Sequence, residues 1–487
     1  MMNEKVQNQM TIKLSELLYL IYFSLMLFAK GIGLYDGQTI YKVFLLTAFA
    51  CVAVKMCITE YTTREWILIL ILLGLAAVIY RVSGEKGILI CMVTVVTMKQ
   101  VSLKRVFQTG CIVWTIAVAG RFLLSLLFIG QVQTAVQTKN FFGALLRYFM
   151  GYPHPNVLHI SYFVLTAFVI YYLKDCFNWK HALLLMIGNG VLFLYSYSFT
   201  GTLIVTIYLM LSLWVSRREL SRMEYWLAEA VFPACVLFSV VFPVALTGRA
   251  YELADKFFNN RINFARYFLT LQNMSLLGNN LAEITTDIIT MDNSFVFALV
   301  IYGVPAFALI CTGYVLMVHR LAGQKRKMEL VMTACFLIAG ITEPFLFNTS
   351  FKNLTLLLIG EQLFELLKQE NAEQRALIRR WNPEITLPTA GIDRLREQMV
   401  IIWNSYRKRM TVVGIGISIL VGTLFGVSYR PRADVLAVQR DHLLFFERMR
   451  VTTTAFSITW IVSLLLLLIF YGIKERKMEI EKNENHA

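Results

Sequence analysis

The stretch Trp66–Tyr80 (WILILILLGLAAVIY) runs for fifteen residues without a charge, between Glu65 and Arg81. A helix rises ~1.5 Å per residue, so this run and its flanking turns cover most of a hydrocarbon core ~30 Å thick. Comparable runs recur from end to end. Spans are expected near 14–33, 40–57, 65–80, 86–98, 109–130, 156–173, 181–196, 201–216, 226–246, 293–317, 328–346, 353–367, 411–428 and 453–473, which makes about fourteen in all. The fold class read from this pattern is all-α, a polytopic transmembrane helix bundle with a large extracytoplasmic loop between Thr247 and Asp292.

Composition agrees. Of 487 residues, 57% are hydrophobic and 16% charged, where a soluble domain carries about 25% charged residues. The net charge is +15. The basic residues lie between apolar spans and form no free stripe, so anionic membrane lipid is the expected partner and nucleic acid is not. The eight cysteines make no CxxC pair and read as small core residues. No P-loop, dinucleotide fingerprint or zinc motif is present, so no cofactor and no metal are expected.

Lysine and arginine set the orientation. With the N-terminus inside, the inner segments hold 29 of the 46 basic residues and the outer segments 16, with Arg121 inside a span. Both termini are therefore expected in the cytoplasm. Residues 1–367 form a main body, 368–410 a charged cytoplasmic segment with Pro383 and Pro388, and 411–487 a two-span appendage.

Several residues are candidates for chemistry. Arg121 is a cation within a span, where it costs from about 2.5 kcal/mol upward; it faces a cavity or snorkels to the headgroups. Arg249, Arg261 and Arg266 cluster in the large outer loop. Guanidinium groups grip phosphate oxygens in pairs, and they also anchor interfacial helices to lipid. The stretch Lys256–Leu271 has helical spacing, with Phe257, Arg261, Phe264 and Phe268 near one face and Asn259, Asn263 and Arg266 near another. His154, within Gly151–Asn156 (GYPHPN), is a candidate base or phosphate ligand, or a turn histidine. Asp292 and Glu343 are candidate proton acceptors; Asp292 also reads as the cap of the following helix. The run Tyr195–Gly201 (YSYSFTG) reads as a close-packing turn.

These elements fall in a known order. His154, Pro155 and Asn156 open a span after an outer loop. Tyr195–Gly201 leads into the span after next. The large loop carries Asn260–Arg266 (NRINFAR) and then Leu276, Leu277 and Gly278. Asp292, Asn293, Ser294, Tyr302, Gly303 and Val304 follow, and then Glu343, Asn348 and Asn353. Over residues 14–367 this order resembles the O-antigen and capsular polysaccharide polymerase (Wzy) family. It departs at Phe199, where an arginine is common in relatives, and in the spans after residue 410.

The resemblance implies a metal-independent glycosyltransferase at the outer face of the plasma membrane. Its substrates would be polyprenyl-pyrophosphate-linked glycans, joined into a surface polysaccharide. Arg261 matches the family's loop arginine, with Arg249 and Arg266 beside it, and His154 matches the His-Pro-Asn histidine. Arg121, Arg249, Arg261 and Arg266 would hold pyrophosphate; His154, Asp292 and Glu343 would be candidate bases. The outer loop 429–452 is a candidate contact for a chain-length regulator or for lipid headgroups. Two rival readings are a lipid-linked oligosaccharide flippase, which would set its charges in a central cavity across several spans, and an O-antigen ligase, which would differ in acceptor.

Overall fold

A computed structural model describes residues 9–139, 143–258, 260–270, 274–284, 291–370, 381–388, 390–431 and 441–484. The chain opens with β1 (Gln9–Lys13), then α1 (Leu14–Gly31), α2 (Thr39–Ile58), α3 (Thr63–Ser83), α4 (Gly87–Val96) and α5 (Leu103–Leu127). The hairpin β2 (Thr134–Lys139) and β3 (Gly143–Tyr148) leads into α6 (Pro155–Tyr172), α7 (Trp179–Ser196), α8 (Phe199–Ser216), α9 (Arg222–Val236) and α10 (Phe242–Ala245). Beyond these lie α11 (Gly248–Phe257), α12 (Arg261–Phe268), the one-turn α13 (Leu281–Ile284), α14 (Ser294–Tyr302), α15 (Val304–Gly323), α16 (Lys327–Gly340) and α17 (Thr355–Glu370). The chain closes with β4 (Glu384–Pro388) and two long helices, α18 (Ala390–Ser428) and α19 (Asp441–Glu484).

The protein is helical, and among the described residues ten helices are long and apolar enough to cross a membrane. Four other expected spans take different forms. Helix α4 has 10 residues, α16 has 14 and α17 has 16. Nearly all of α4 and α16 is buried, so neighbouring helices rather than lipid surround them. Helix α7 has 18 residues, with Lys180 and His181 in its first turn and the buried Asn189.

The stretch expected as one span at 293–317 breaks between α14 and α15 at Gly303, whose φ is 81°. The backbone of the preceding loop rests in the break: a Cβ on Gly303 would lie 2.5 Å from the Leu276 carbonyl oxygen. The Val304 N–H, freed by the break, donates to the Ser275 carbonyl (3.1 Å). Glycine supplies both the left-handed turn and the room.

Several polar groups inside the bundle are paired, as a low-dielectric interior favours. The Trp114 indole donates to the Ser161 carbonyl (2.8 Å), Tyr302 to that of Phe347 (2.5 Å), and the Tyr314 hydroxyl meets that of Thr355 (2.7 Å).

Two small sheets mark opposite ends of the bundle. Strands β1 and β4 pair antiparallel, Gln9 opposite Pro388 and Lys13 opposite Glu384, where α1 begins. Strands β2 and β3 pair antiparallel, Thr134 opposite Tyr148. The turn after β3 reaches the far end of α1, where Tyr152 donates to the Gly31 carbonyl (2.7 Å). We call these the tail end and the site end.

Helices α18 and α19 form an antiparallel pair packed through small residues. A Cβ on Gly426 would meet the Thr452 hydroxyl at 2.0 Å, and Tyr406 stacks on Tyr471 with ring centres 4.0 Å apart.

Candidate functional site

The expected helix over 256–271 is two helices. Helix α11 stops at Phe257, and Asn260 turns left-handed (φ 67°) before α12 begins at Arg261. Asparagine tolerates that conformation at small cost. The expected shared face is therefore lost: Phe257 is 83% exposed and Phe268 is 0% exposed.

Helix α12 buries Ile262, Ala265 and Phe268, and this docking aims Arg261 toward the bundle. Its guanidinium lies 3.4 Å from Glu343 Oε1 and 4.0 Å from Asp292 Oδ2. Arg266, five residues on, is rotated about 140° around the helix and faces away. It sits over the Tyr251 ring at 5.0 Å and is exposed. Arg249 is exposed on α11. The expected three-arginine cluster is thus one arginine, and the helical phase is the reason.

Glu343 follows α16 as the cap of a short 3-10 turn, Pro344–Leu346. Its backbone is pinned where Ser294 Oγ donates to the Glu343 carbonyl (2.6 Å). Its side chain accepts from Asn156 Nδ2 (2.9 Å) and from Arg261 Nη2 (3.4 Å). Burial pushes the Glu343 carboxyl up to about 7, against the pull of Arg261; nearby Asp292 adds to the rise, while Asn156 and Arg147 oppose it. A carboxyl held there is half ionised at neutral pH, the condition a general base needs.

Asp292 does not cap the following helix. Asn293 does, accepting from the N–H groups of Phe295 (2.9 Å) and Val296 (3.1 Å). Asp292 is left beside Arg261.

His154 caps α6, with Pro155 in the first turn. Its Nδ1 accepts from the Asn156 N–H (3.2 Å), which leaves the proton on Nε2. Crowding by surrounding atoms and the charges of Arg147 and Arg261 lower its pKa to about 4, although the ring edge reaches solvent. At neutral pH His154 is therefore uncharged, with its Nδ1 lone pair engaged by the Asn156 N–H.

Arg121, on α5, donates to the Gly151 carbonyl through Nε (3.2 Å) and Nη2 (2.9 Å). Gly151 has φ 79°, and a Cβ there would fall 1.9 Å from Arg121 Nε. Arg121 thus ties α5 to the turn that carries His154. It makes no ion pair with Glu343 or Asp292 among the described residues.

Two cations at this end were not anticipated. Arg147, on β3, is 4% exposed. It donates to the Ser196 carbonyl (2.6 Å), to Gln137 Oε1 (2.6 Å) and, at short range, to Asn156 Oδ1. Burial lowers its pKa to about 10, so it stays charged at neutral pH. Lys352 is buried and donates to the Val157 carbonyl (3.2 Å), with Nζ 5.8 Å from the Tyr152 ring centre. Burial and the neighbouring Lys30 lower it to about 7. The sequence signal for Arg147 was an arginine in an apolar strand seven residues before His154; for Lys352 it was the cation beside Asn353.

The Tyr195–Gly201 run forms the turn between α7 and α8, with Tyr197 left-handed (φ 43°). Gly201 packs against the His159 ring, where a Cβ would lie 2.8 Å away, in keeping with the close-packing reading.

The cluster is therefore Arg261, Asp292, Glu343, Asn156 and Arg147, with His154 alongside. Arg261 also borders a crevice of about 10 Å³ with Asp292, Asn293 and Phe264. A much larger cavity, about 1190 Å³, lies at the tail end. Chemically, two buried or half-buried guanidinium groups and a neutral imidazole N–H flank one carboxyl of raised pKa. Such a set can receive an anion and remove a proton beside it. No family model, no curated protein and no solved structure matches the chain.

Proposed function

We propose that this chain is a polysaccharide polymerase of the bacterial plasma membrane, using polyprenyl-pyrophosphate-linked repeat units at the outer face. In this reading the chain crosses about fourteen times, with α4, α16 and α17 as spans sheltered within the bundle and α7 as a span with one outward apolar face, and both termini are cytoplasmic. The site end then lies at outer headgroup depth, where two lipid-anchored substrates meet.

The acceptor sugar hydroxyl attacks the anomeric carbon of the growing chain. The bond from that carbon to the pyrophosphate oxygen breaks, and its electron pair leaves with the lipid pyrophosphate. The hydroxyl proton passes to Glu343. Arg261 and Arg147 balance the charge that develops on the leaving group, His154 donates an N–H to it, and Asp292 orients Arg261. The observation that carries the reading is Glu343, a mostly buried carboxyl of raised pKa set between Arg261 and Asn156. Arg121 supports the His154 turn, and Arg249 and Arg266 meet lipid headgroups.

One observation favours a second reading. The large cavity at the tail end is lined by Lys99, Lys174, Arg326, Glu329 and Glu361, as a flippase vestibule could be. In-frame deletion separates the two. A polymerase deletion leaves single repeat units at the cell surface without long chains. Accumulation of lipid-linked units on the inner leaflet contradicts the polymerase and favours the flippase.

A further inference from the structure

Among the described residues, the α18–α19 hairpin meets the body at a buried node. Glu447 and Arg450, one turn apart on α19, pair at 2.6 Å with side chains 0% and 5% exposed. The Arg450 guanidinium lies over two rings, 4.4 Å from the centre of Tyr148 and 4.9 Å from that of Tyr195. Its Nη2 also donates to the Tyr148 hydroxyl (3.2 Å), which in turn donates to Glu447 Oε2 (3.4 Å). Tyr429, at the end of α18, donates to the same carboxylate oxygen (3.3 Å). The Tyr195 hydroxyl meets that of Thr454 on α19 (2.7 Å).

Both residues held by this node are chain neighbours of a site contact. Tyr148 precedes the loop to α6 and follows Arg147 on β3; Tyr195 precedes Ser196 at the end of α7. Arg147 donates to the Ser196 carbonyl at 2.6 Å. Adjacent strand residues point to opposite faces. Strand β3 therefore shows Tyr148 to the C-terminal hairpin and Arg147 to Asn156 and, beyond it, Glu343. Both partners of the ion pair sit on α19, so the link to the body runs through Tyr148 and Tyr195, and burying the pair carries a desolvation cost.

We propose that the C-terminal hairpin is a positioning element: Glu447 and Arg450 hold β3 so that Arg147 stays aimed at the Asn156–Glu343 pair. This rests on the polymerase reading for its catalytic consequence, though not for its structural one. Arg450 and Glu447 are positioning residues, because they act through Tyr148 and Tyr195.

The test uses the full-length protein in nanodiscs, with Arg450→Met, Arg450→Lys and the Glu447→Gln/Arg450→Met double variant. The readouts are amide hydrogen exchange over 143–148 and chain growth on lipid-linked repeat units against pH. Arg450→Met should speed exchange over 143–148 at least tenfold. It should lower kcat about tenfold with KM within threefold, in line with loss of a transition-state contact rather than of substrate binding. The pH midpoint of activity should rise, since Arg147 helps hold Glu343 down against its burial and Asp292, alongside Arg261 and the Asn156 amide. Arg450→Lys should recover part of the rate. The double variant, with no orphaned charge, should be better protected than Arg450→Met.

Unchanged exchange in a folded Arg450→Met protein overturns the proposal. So does faster exchange with normal chain growth, provided that Arg261→Ala abolishes growth. If growth is normal in both Arg450→Met and Arg261→Ala while exchange rises, the clasp stands and the polymerase reading falls.

Discussion

The two ends of the bundle treat charge differently. At the tail end, buried and half-buried carboxylates have a cation at contact distance: Glu16 with Arg105 at 2.7 Å, Glu65 with Lys99 at 2.5 Å, Glu329 with Lys174 at 2.9 Å, Glu361 with Arg326 at 2.5 Å. At the site end, Arg261 stands 3.4 Å from Glu343 and 4.0 Å from Asp292. Arg147 and Lys352 spend their donors on carbonyl and amide oxygens. Tight pairs exist there too, Lys86 with Asp36 at 2.8 Å and Arg450 with Glu447 at 2.6 Å, but they lie outside the cluster. Matched charges stabilise a fold and leave nothing over. Loosely matched cations beside a carboxyl of raised pKa leave positive charge uncancelled for an incoming anion.

The contrast breaks most sharply at Glu343. Glu343→Gln should lower chain growth roughly 10²- to 10⁴-fold, the range for a lost general base. In the native protein the rate should rise with pH through about 7, where Glu343 ionises, and the variant should lose that limb. Stability runs the other way. The folded pKa lies above the unfolded value of 4.5, so the protonated form favours folding. That contribution is complete below about 4.5 and is lost as pH climbs through about 7. Thermal unfolding across that window should show native protein losing stability relative to Glu343→Gln.

Next in size is Arg261. Arg261→Ala should cost about 10²- to 10³-fold in chain growth, and Arg261→Lys nearly as much, because an ammonium cannot reproduce the paired contacts. Full activity in either variant would remove Arg261 from the site.

At the tail end the expected effect is on stability. Glu329→Gln leaves Lys174 without its charged partner and Arg326 with Glu361 alone, and should cost about 2 kcal/mol in unfolding free energy. Its pH profile for chain growth should match the native one. A shifted profile would mean that the two ends are coupled, and the contrast would soften.

The smallest effects belong to Arg249→Ala and Arg266→Ala. Both arginines are exposed, so chain growth should stay within roughly threefold of native. A large loss in either would mean that the loop rearranges to deliver more cations than this structure gathers.

The bundle was legible because lipid requires long apolar runs, and composition alone exposes them. Glu343, Asp292, Arg261 and His154 could be read as candidates because they sit at span ends or in loops between spans. Their partnerships could not. Asn156 meets Glu343 across a sequence separation of 187 residues, and Arg147 meets Ser196 across 49. No local spacing encodes such contacts. Arg249 and Arg266 were grouped with Arg261 by sequence nearness, yet the break at Asn260 and the phase of α12 part them. The same limit hid the role of the C-terminal pair of helices, which depends on Tyr148 and Tyr195 meeting Arg450.

The most direct measurement is binding of a short-chain polyprenyl pyrophosphate to purified protein in nanodiscs, by titration calorimetry. The native protein should bind it, Arg261→Ala should weaken binding at least tenfold, and Arg249→Ala should leave it unchanged. Equal affinity in the native and Arg261→Ala proteins would contradict the account.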